Sequence, residues 1–267
     1  LNNNEFIAFF QPQIDTNTNS ITGMEALARW IEKDGNFIYP DRFIPLAEET
    51  SLIIPIGEWV LKTACEQLRE WKLAGYPSMR MAVNLSACQF IKPGLDKVIE
   101  DILLETGVAP SDLDLELTES IIMHDTLIVS HTLQSFRQMG IGLSIDDFGT
   151  GYSSLSYIRR FPLDRIKIDR SFVKYITSNS NDAEMIVSII ALAHSMKLQV
   201  VAEGVETSEQ LRYLQEKGCD EAQGFYFSAP VSADEMKVLL ADLSDSIMPE
   251  NKKCQGYNML HAICFLP

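Results

Sequence analysis

The chain has 267 residues, 46% hydrophobic and 22% charged, with 22 Lys+Arg against 37 Asp+Glu and a formal net charge of −15. That length carries one large α/β domain or two small ones around a sizeable core, and so much apolar residue spread along the chain argues against intrinsic disorder. The acid surplus argues against gripping polymeric nucleic acid over a basic face, or docking on an anionic membrane, and leaves a cation site or an ordinary acidic surface.

In chain order, β-type runs fall at residues 6–12 and 24–30, and an amphipathic helical face follows with Trp59, Val60, Ala64, Leu68 and Trp71. Further runs lie at 80–85, 113–118, 142–146, 165–169 and 199–202, separated by helical patterns. Leu211, Leu214 and Lys217 close the last such helix before Gly218, and a final run covers 221–225. Strand–helix alternation with short connectors predicts a mainly parallel sheet covered by helices. Eight strands fit a closed (β/α)8 TIM barrel of roughly 250 residues, and an open doubly wound sheet is the competing architecture. Residues 1–244 are expected to form the barrel. The tail, 245–267, loses periodicity and receives no function.

Five cysteines, Cys65, Cys88, Cys219, Cys254 and Cys264, are an odd number with no CxxC pair, which fits reduced thiols in the cytoplasm. The first residues lack a signal peptide's basic and apolar regions. The longest apolar run, 186–193, is broken by Ser188 and falls short of the roughly 20 residues that span a bilayer, so no membrane contact is expected. Beginning at Leu1 fits a segment of a longer protein, including the cytoplasmic part of an anchored one.

Barrel enzymes gather their chemistry where the strands end. Polar residues stand in or just after every run from the second onward: Glu25 and Arg29, Asn84, Glu116, Asp146 with Asp147, Lys167, Glu203 with Glu206, and Gln223. Six carboxylates and an amide oxygen, without His or Cys, describe a hard oxygen site for Mg²⁺ or Mn²⁺ rather than Zn²⁺. The adjacent aspartates suit a pair of ions of the kind used in phosphoester hydrolysis. The competing reading is a buried salt-bridge network with Arg29, Lys167 and Arg165, but three cations do not neutralise six acids. Glu25 and Arg29 share a strand face, as metal ligand and phosphate holder or as a simple ion pair. Lys167 in a strand core needs anions, which favours a place beside a phosphate or an attacking water.

The segment from Asp147 to Leu155 contains Gly149 and Gly151 and reads as a mobile gate over the metals, with Ser153 or Ser154 as a helix cap. His124, His131, His194 and His261 read as ordinary surface or core residues, Glu48 with Glu49 and Asp242 with Asp245 as solvated faces, and Met79, Met81 and Met139 as core filler.

Met24-Glu-Ala-Leu-Ala-Arg-Trp30 resembles the signature of the EAL domain, the bacterial cyclic di-GMP phosphodiesterase family. The likeness runs over about residues 5–240 through Phe10-Gln-Pro12, Asn84-Leu-Ser86, Glu116-Leu-Thr-Glu-Ser120, Asp146-Asp-Phe-Gly-Thr-Gly-Tyr-Ser-Ser-Leu155, Lys167-Ile-Asp-Arg-Ser-Phe172, Ala202-Glu-Gly-Val-Glu206 and Gln223-Gly224. One tripeptide would be weak evidence; the ordered series is specific.

The resemblance implies a modified barrel whose first strand is antiparallel, and a two-metal, water-mediated opening of cyclic di-GMP to linear pGpG. By motif, Glu25, Asn84, Glu116 and Asp146 would hold one metal, with Asp146 bridging to a second held by Asp147 and Glu203. Lys167 would orient the water or balance its charge, Arg29 would bind phosphate, Gln11 and Leu27 would line the pocket, and Gln223 would support the site. Glu119 would anchor the gating loop, and Glu206 would be a ligand or a supporting residue. The resemblance also implies a homodimer and sensor or diguanylate cyclase domains outside this chain. A cyclic di-GMP receptor without turnover is the alternative, and a protein-interaction barrel needs none of the buried acids.

Overall fold

A computed structural model describes residues 5–119, 121, 127–150, 158 and 160–245. The tail beyond 245, the gate residues 151–157, His124 and His261 lie outside them.

The strands are β1 (Phe6–Asp15), β2 (Ile21–Ile31), β3 (Phe37–Ile38), β4 (Arg80–Leu85), β5 (Leu113–Thr118), β6 (Gly142–Phe148), β7 (Arg165–Ile168), β8 (Gln199–Ala202) and β9 (Glu221–Ala222). Among the described residues the helices are α1 (Pro40–Glu49), α2 (Ile53–Leu73), α3 (Ala87–Ile91), α4 (Leu95–Thr106), α5 (Leu127–Met139), α6 (Arg170–Lys174), α7 (Ser180–Ser195), α8 (Ser208–Glu216) and α9 (Ala233–Asp245). The sheet runs β1-β9-β8-β7-β6-β5-β4-β2, β1 also pairs with β2, and the two-residue β3 is added outside β2. That second pairing closes the sheet into an eight-stranded barrel, which overturns the open doubly wound alternative. β1 is antiparallel to both its neighbours, while β2 and β4 to β9 are parallel.

The reversal has a local cause. β1 and β2 form a hairpin whose turn is tied by Asp15, which accepts from the N–H groups of Asn17 (2.9 Å) and Thr18 (2.7 Å). A turn of five residues joins only antiparallel strands, as the turn between β2 and the antiparallel β3 does again, whereas β4 and every strand after it follow a crossover long enough to return parallel. β9 is shorter than the run at 221–225 because the chain bends after Ala222 to follow the loop past β8, with Val205 N–H donating to Gln223 O at 3.1 Å.

Outward-facing Val83, Leu115, Leu143, Ile145, Ile166 and Val200 pack under the helices in one apolar layer. The face predicted on α2 is buried through Val60, Ala64, Leu68 and Trp71, and Trp71 meets Phe10 edge-on at 5.0 Å between ring centroids. Met79 and Met81 are core residues as expected. Cys65, Cys88 and Cys219 are free thiols, and burial pushes those of Cys65 and Cys219 up to about 12, which makes them unreactive. No helix among the described residues is long and apolar enough to cross a membrane.

The barrel interior is polar in two storeys. In the lower one Arg80 donates through Nη1 to Glu221 at 2.8 Å and lies 3.7 Å from Asp114, while Arg165 donates to Asp114 at 3.4 Å and Ser144 to Asp114 at 2.8 Å. Burial pushes the Asp114 carboxyl up, against the pull of Arg165 and Arg80. Arg165 is therefore no counter-charge for the upper acids. Inward-facing residues two apart lie about 6.6 Å apart along their strand, which is one storey of the barrel.

Candidate active site

The same two-residue step that buries Asp114 and Arg165 below lifts Glu116 on β5 and Lys167 on β7 into the upper storey. Lys167 is 1% exposed and its ammonium is ringed by carboxylates: Glu203 at 2.6 Å, Glu116 at 2.7 Å, Asp146 at 3.3 Å and Glu25 at 3.7 Å. It is buried among the acids rather than standing on the rim, which meets the expectation that a lysine in a strand core faces anions. Glu25 is held from two sides, since Asn84 Nδ2 donates to Oε1 at 2.7 Å and Gln223 Nε2 to Oε2 at 2.5 Å. Gln223 also donates to Gln11 Oε1 at 2.9 Å, and Gln11 donates to Ser228 O at 2.9 Å. The reversed β1 brings Gln11 directly opposite Glu25 in the ladder.

Adjacent residues on a regular strand point to opposite faces, yet Asp146 and Asp147 reach the same place. The β6–β7 register shifts between Ile145 and Phe148, and Asp147 has φ of +54°, a left-handed backbone that Asp tolerates better than most residues. The shift delivers both carboxylates to Glu203, and oxygens of Asp146, Asp147 and Glu203 lie within 4.8 Å of one another. Such a group can hold a metal ion.

The electrostatics follow from one ammonium facing several acids. Burial and repulsion from Glu25 push Glu116 well above the usual carboxylate range, against the pull of Lys167. Burial carries Glu203 up to about 8 despite Lys167. Burial also raises Asp147, with Asp146 and Asp169 adding to the effect. Burial opposes the charged form of Glu25, but Lys167 and the Gln223 and Asn84 donors outweigh it and hold the group below its ordinary value. Burial would likewise lower Lys167; its four acids outweigh that and raise it well above the ordinary range. Crowded acids facing one ammonium are thus pushed toward their neutral forms, which additional positive charge would reverse, and every carboxylate and amide atom able to ligate a cation there is oxygen. Hard divalent cations fit that chemistry.

The remaining expected site residues lie outside the Lys167 ring. Leu27 is half-buried on β2, opposite Phe9 in the ladder. Arg29 stands two residues further along β2, its guanidinium carbon 5.6 Å from the Phe9 ring centroid. It is a rim residue and forms no part of the Lys167 ring. Glu206 is exposed beyond β8, outside the Asp146–Asp147–Glu203 group, with its N–H donating to Gln210 at 2.7 Å. Glu119 follows β5, and both its carboxylate oxygens are buried without a hydrogen-bond partner among the described residues.

Two neighbours of the site receive no role from the sequence, although Asp169 falls on the Lys167 face of its run. Asp169 crowds Asp147 while capping α6, accepting from Ser171 N–H at 3.0 Å. Gln13 joins the storeys: it accepts from Arg80 at 2.6 Å and lies 3.5 Å from Glu116 Oε1. The signal for it in the sequence is its spacing, two residues after Gln11. Gly224 also matters, because a Cβ there would stand 2.2 Å from Val205 O and 2.3 Å from Val205 N. Gly224→Ala is expected to destabilise the protein by about 1–3 kcal/mol and to lower turnover by shifting Gln223 off Glu25. Urea unfolding and the rate of the folded variant check this, and a variant of wild-type stability would show that the loop simply moves aside.

A family model described as the EAL domain matches residues 1–230. The chain is 42% identical over 241 residues to the bifunctional diguanylate cyclase/cyclic di-GMP phosphodiesterase MucR of Pseudomonas aeruginosa, covering 90% of this chain and 35% of that protein. It is 42% identical over 222 residues to the cyclic di-GMP phosphodiesterase NbdA of the same organism, covering 83% and 28%. A solved structure of the MucR phosphodiesterase in complex with cyclic di-GMP matches with a TM-score of 0.85 at 42% identity, over 88% of this chain and 95% of that one. The chain thus spans about a third of the length of the curated relatives it matches. By the family match over most of its length, the closed barrel with its reversed first strand and the acid-lined mouth, this chain belongs to the EAL domain family.

Proposed function

We propose that this chain hydrolyses cyclic di-GMP to linear pGpG with the help of divalent cations. The observation that supports the reading is the gathering of Glu25, Glu116, Asp146 and Glu203 around Lys167, with Asp147 beside Asp146 and Glu203 in a group that could hold a metal ion. The names of MucR and NbdA, and the cyclic di-GMP bound in the MucR structure, support the choice of substrate.

Asp146, Asp147 and Glu203 are assigned to one Mg²⁺ or Mn²⁺ ion, and Glu25, Asn84, Glu116 and the shared Asp146 to a second. Such ions supply positive charge against phosphate oxygens and make bound water more acidic. The protein's own residues do the rest. Lys167 fixes the acids from below, Gln223 and Asn84 fix the rotamer of Glu25, and Gln11, Leu27 and Arg29 line the way in. Preset in this way, the site needs little reorganisation when charge develops on the phosphate. A cytoplasmic location, a homodimer, and sensor or cyclase domains outside this segment complete the proposal. Glu119 is assigned to anchoring the loop after Asp147.

The test is chromatography of cyclic di-GMP incubated with the protein and Mg²⁺ or Mn²⁺, beside Ca²⁺ and EDTA controls. Conversion to pGpG with Mg²⁺ or Mn²⁺, and none in EDTA, is expected. Nucleotide recovered unchanged from folded, metal-loaded protein overturns hydrolysis, and tight binding in that case assigns the chain to the receptors.

A further inference from the structure

We propose that Phe9 is a positioning residue for Arg29, fixing the guanidinium at the barrel rim where a substrate phosphate is held. The inference deepens the phosphodiesterase reading and rests on it.

The placement follows from the reversed first strand. Gln11 of β1 and Glu25 of β2 face the barrel interior and are opposite one another. Period two then puts Phe9 on the same face as Gln11, and Leu27 and Arg29 on the same face as Glu25. Phe9 is opposite Leu27, and Arg29 is its diagonal neighbour, a separation that an aromatic and a long side chain bridge. The distance of 5.6 Å between the Arg29 guanidinium carbon and the Phe9 ring centroid lies within cation–π range. The ring itself is supported edge-on by Phe37 at 6.2 Å and 73°, so β3 finds a role in backing it. Phe9 is therefore within cation–π distance of Arg29, opposite Leu27 in the ladder and two residues from Gln11, the three residues assigned to the way in.

A long arginine side chain carries rotamer freedom, and each contact that narrows it lowers the cost of binding a phosphate. The Phe9 ring limits that freedom from one side while Nη1 donates to Ala28 O at 2.9 Å, and the guanidinium's remaining N–H groups are those that can meet a phosphate. A parallel first strand, or an aliphatic residue at position 9, would offer no such platform.

The test is a kinetic cycle on cyclic di-GMP with Phe9→Leu, Phe9→Tyr, Arg29→Ala and the double variant Phe9→Leu/Arg29→Ala. Phe9→Leu is expected to raise KM about three- to tenfold with kcat within about twofold of wild type. Phe9→Tyr restores KM, and Phe9→Leu adds nothing once Arg29 is Ala. An unchanged KM in a folded Phe9→Leu protein, or the same rise in the Arg29→Ala background, overturns the role of Phe9 and leaves the phosphodiesterase reading intact. A wild-type chain that neither turns over nor binds the nucleotide by calorimetry overturns both.

Discussion

Asp146→Asn is expected to abolish turnover almost completely while leaving the fold in place. The substitution is nearly isosteric and keeps the Oδ1 acceptor, which the Asp147 N–H uses at 3.0 Å, so the shifted register of β6 survives. Lys167 retains Glu25, Glu116 and Glu203, and loses only its 3.3 Å contact with a charged Asp146. The cation site loses the acid that both assigned ion positions share. Transition-state stabilisation of several kcal/mol rests on that charge, and each 1.36 kcal/mol is a factor of ten, so the rate falls about a thousandfold or more. Two measurements check it: conversion of cyclic di-GMP by the variant, and the rise in melting temperature on adding Mn²⁺, which is expected to shrink with the rate. A near-normal rate would remove Asp146 from its shared position.

How much of the molecule is legible in its sequence depends on whether a feature lives in residue pattern or in backbone geometry. The limits of β4, β5 and β8 coincide with the runs read from sequence, because their outward-facing residues form short apolar stretches between polar connectors. Lys167, Glu116 and Glu25 are legible because a charge inside such a run is costly to bury unless opposite charge or a bound ion meets it there. The direction of β1 leaves no mark on alternation and is foreseen only through the family resemblance. The placement of Asp146 with Asp147 depends on a register shift and one left-handed residue, which a pair of aspartates does not announce. Arg165 is misplaced by the sequence for the opposite reason: period two fixes its face correctly but not its height, and in the lower storey it meets Asp114. Glu206 lies three residues past Glu203 after the left-handed Gly204, exposed and outside the Asp146–Asp147–Glu203 group, a placement that motif spacing alone does not convey.

The largest effect on stability is expected from Lys167→Met, which keeps the length and apolar stem of the side chain and removes its charge. Lys167 is the cation at the centre of the upper storey, and Glu116, 2.7 Å away, is equally buried. Breaking a buried ion pair by deleting one partner costs about 3–5 kcal/mol, because the other charge stays desolvated. For a domain of this size that corresponds to a melting temperature lower by roughly 6–20 °C in EDTA. The acid ring then lacks its internal counter-charge, so a divalent cation entering it displaces nothing and neutralises more. Mn²⁺ is therefore expected to raise the melting temperature of Lys167→Met further than that of wild type, since a ligand bound at a hundred times its Kd stabilises by about 2.7 kcal/mol. Turnover stays low even in the metal-stabilised variant, because the acids lose the contact that fixes them from below. Differential scanning calorimetry of both proteins in EDTA and in Mn²⁺ reads the effect directly. Equal melting temperatures in EDTA would mean that the acids balance their charge without the lysine, and equal shifts with Mn²⁺ would separate the ammonium from the cation site. The expected pattern makes Lys167 the residue that lets the barrel fold with its acids gathered before any metal arrives.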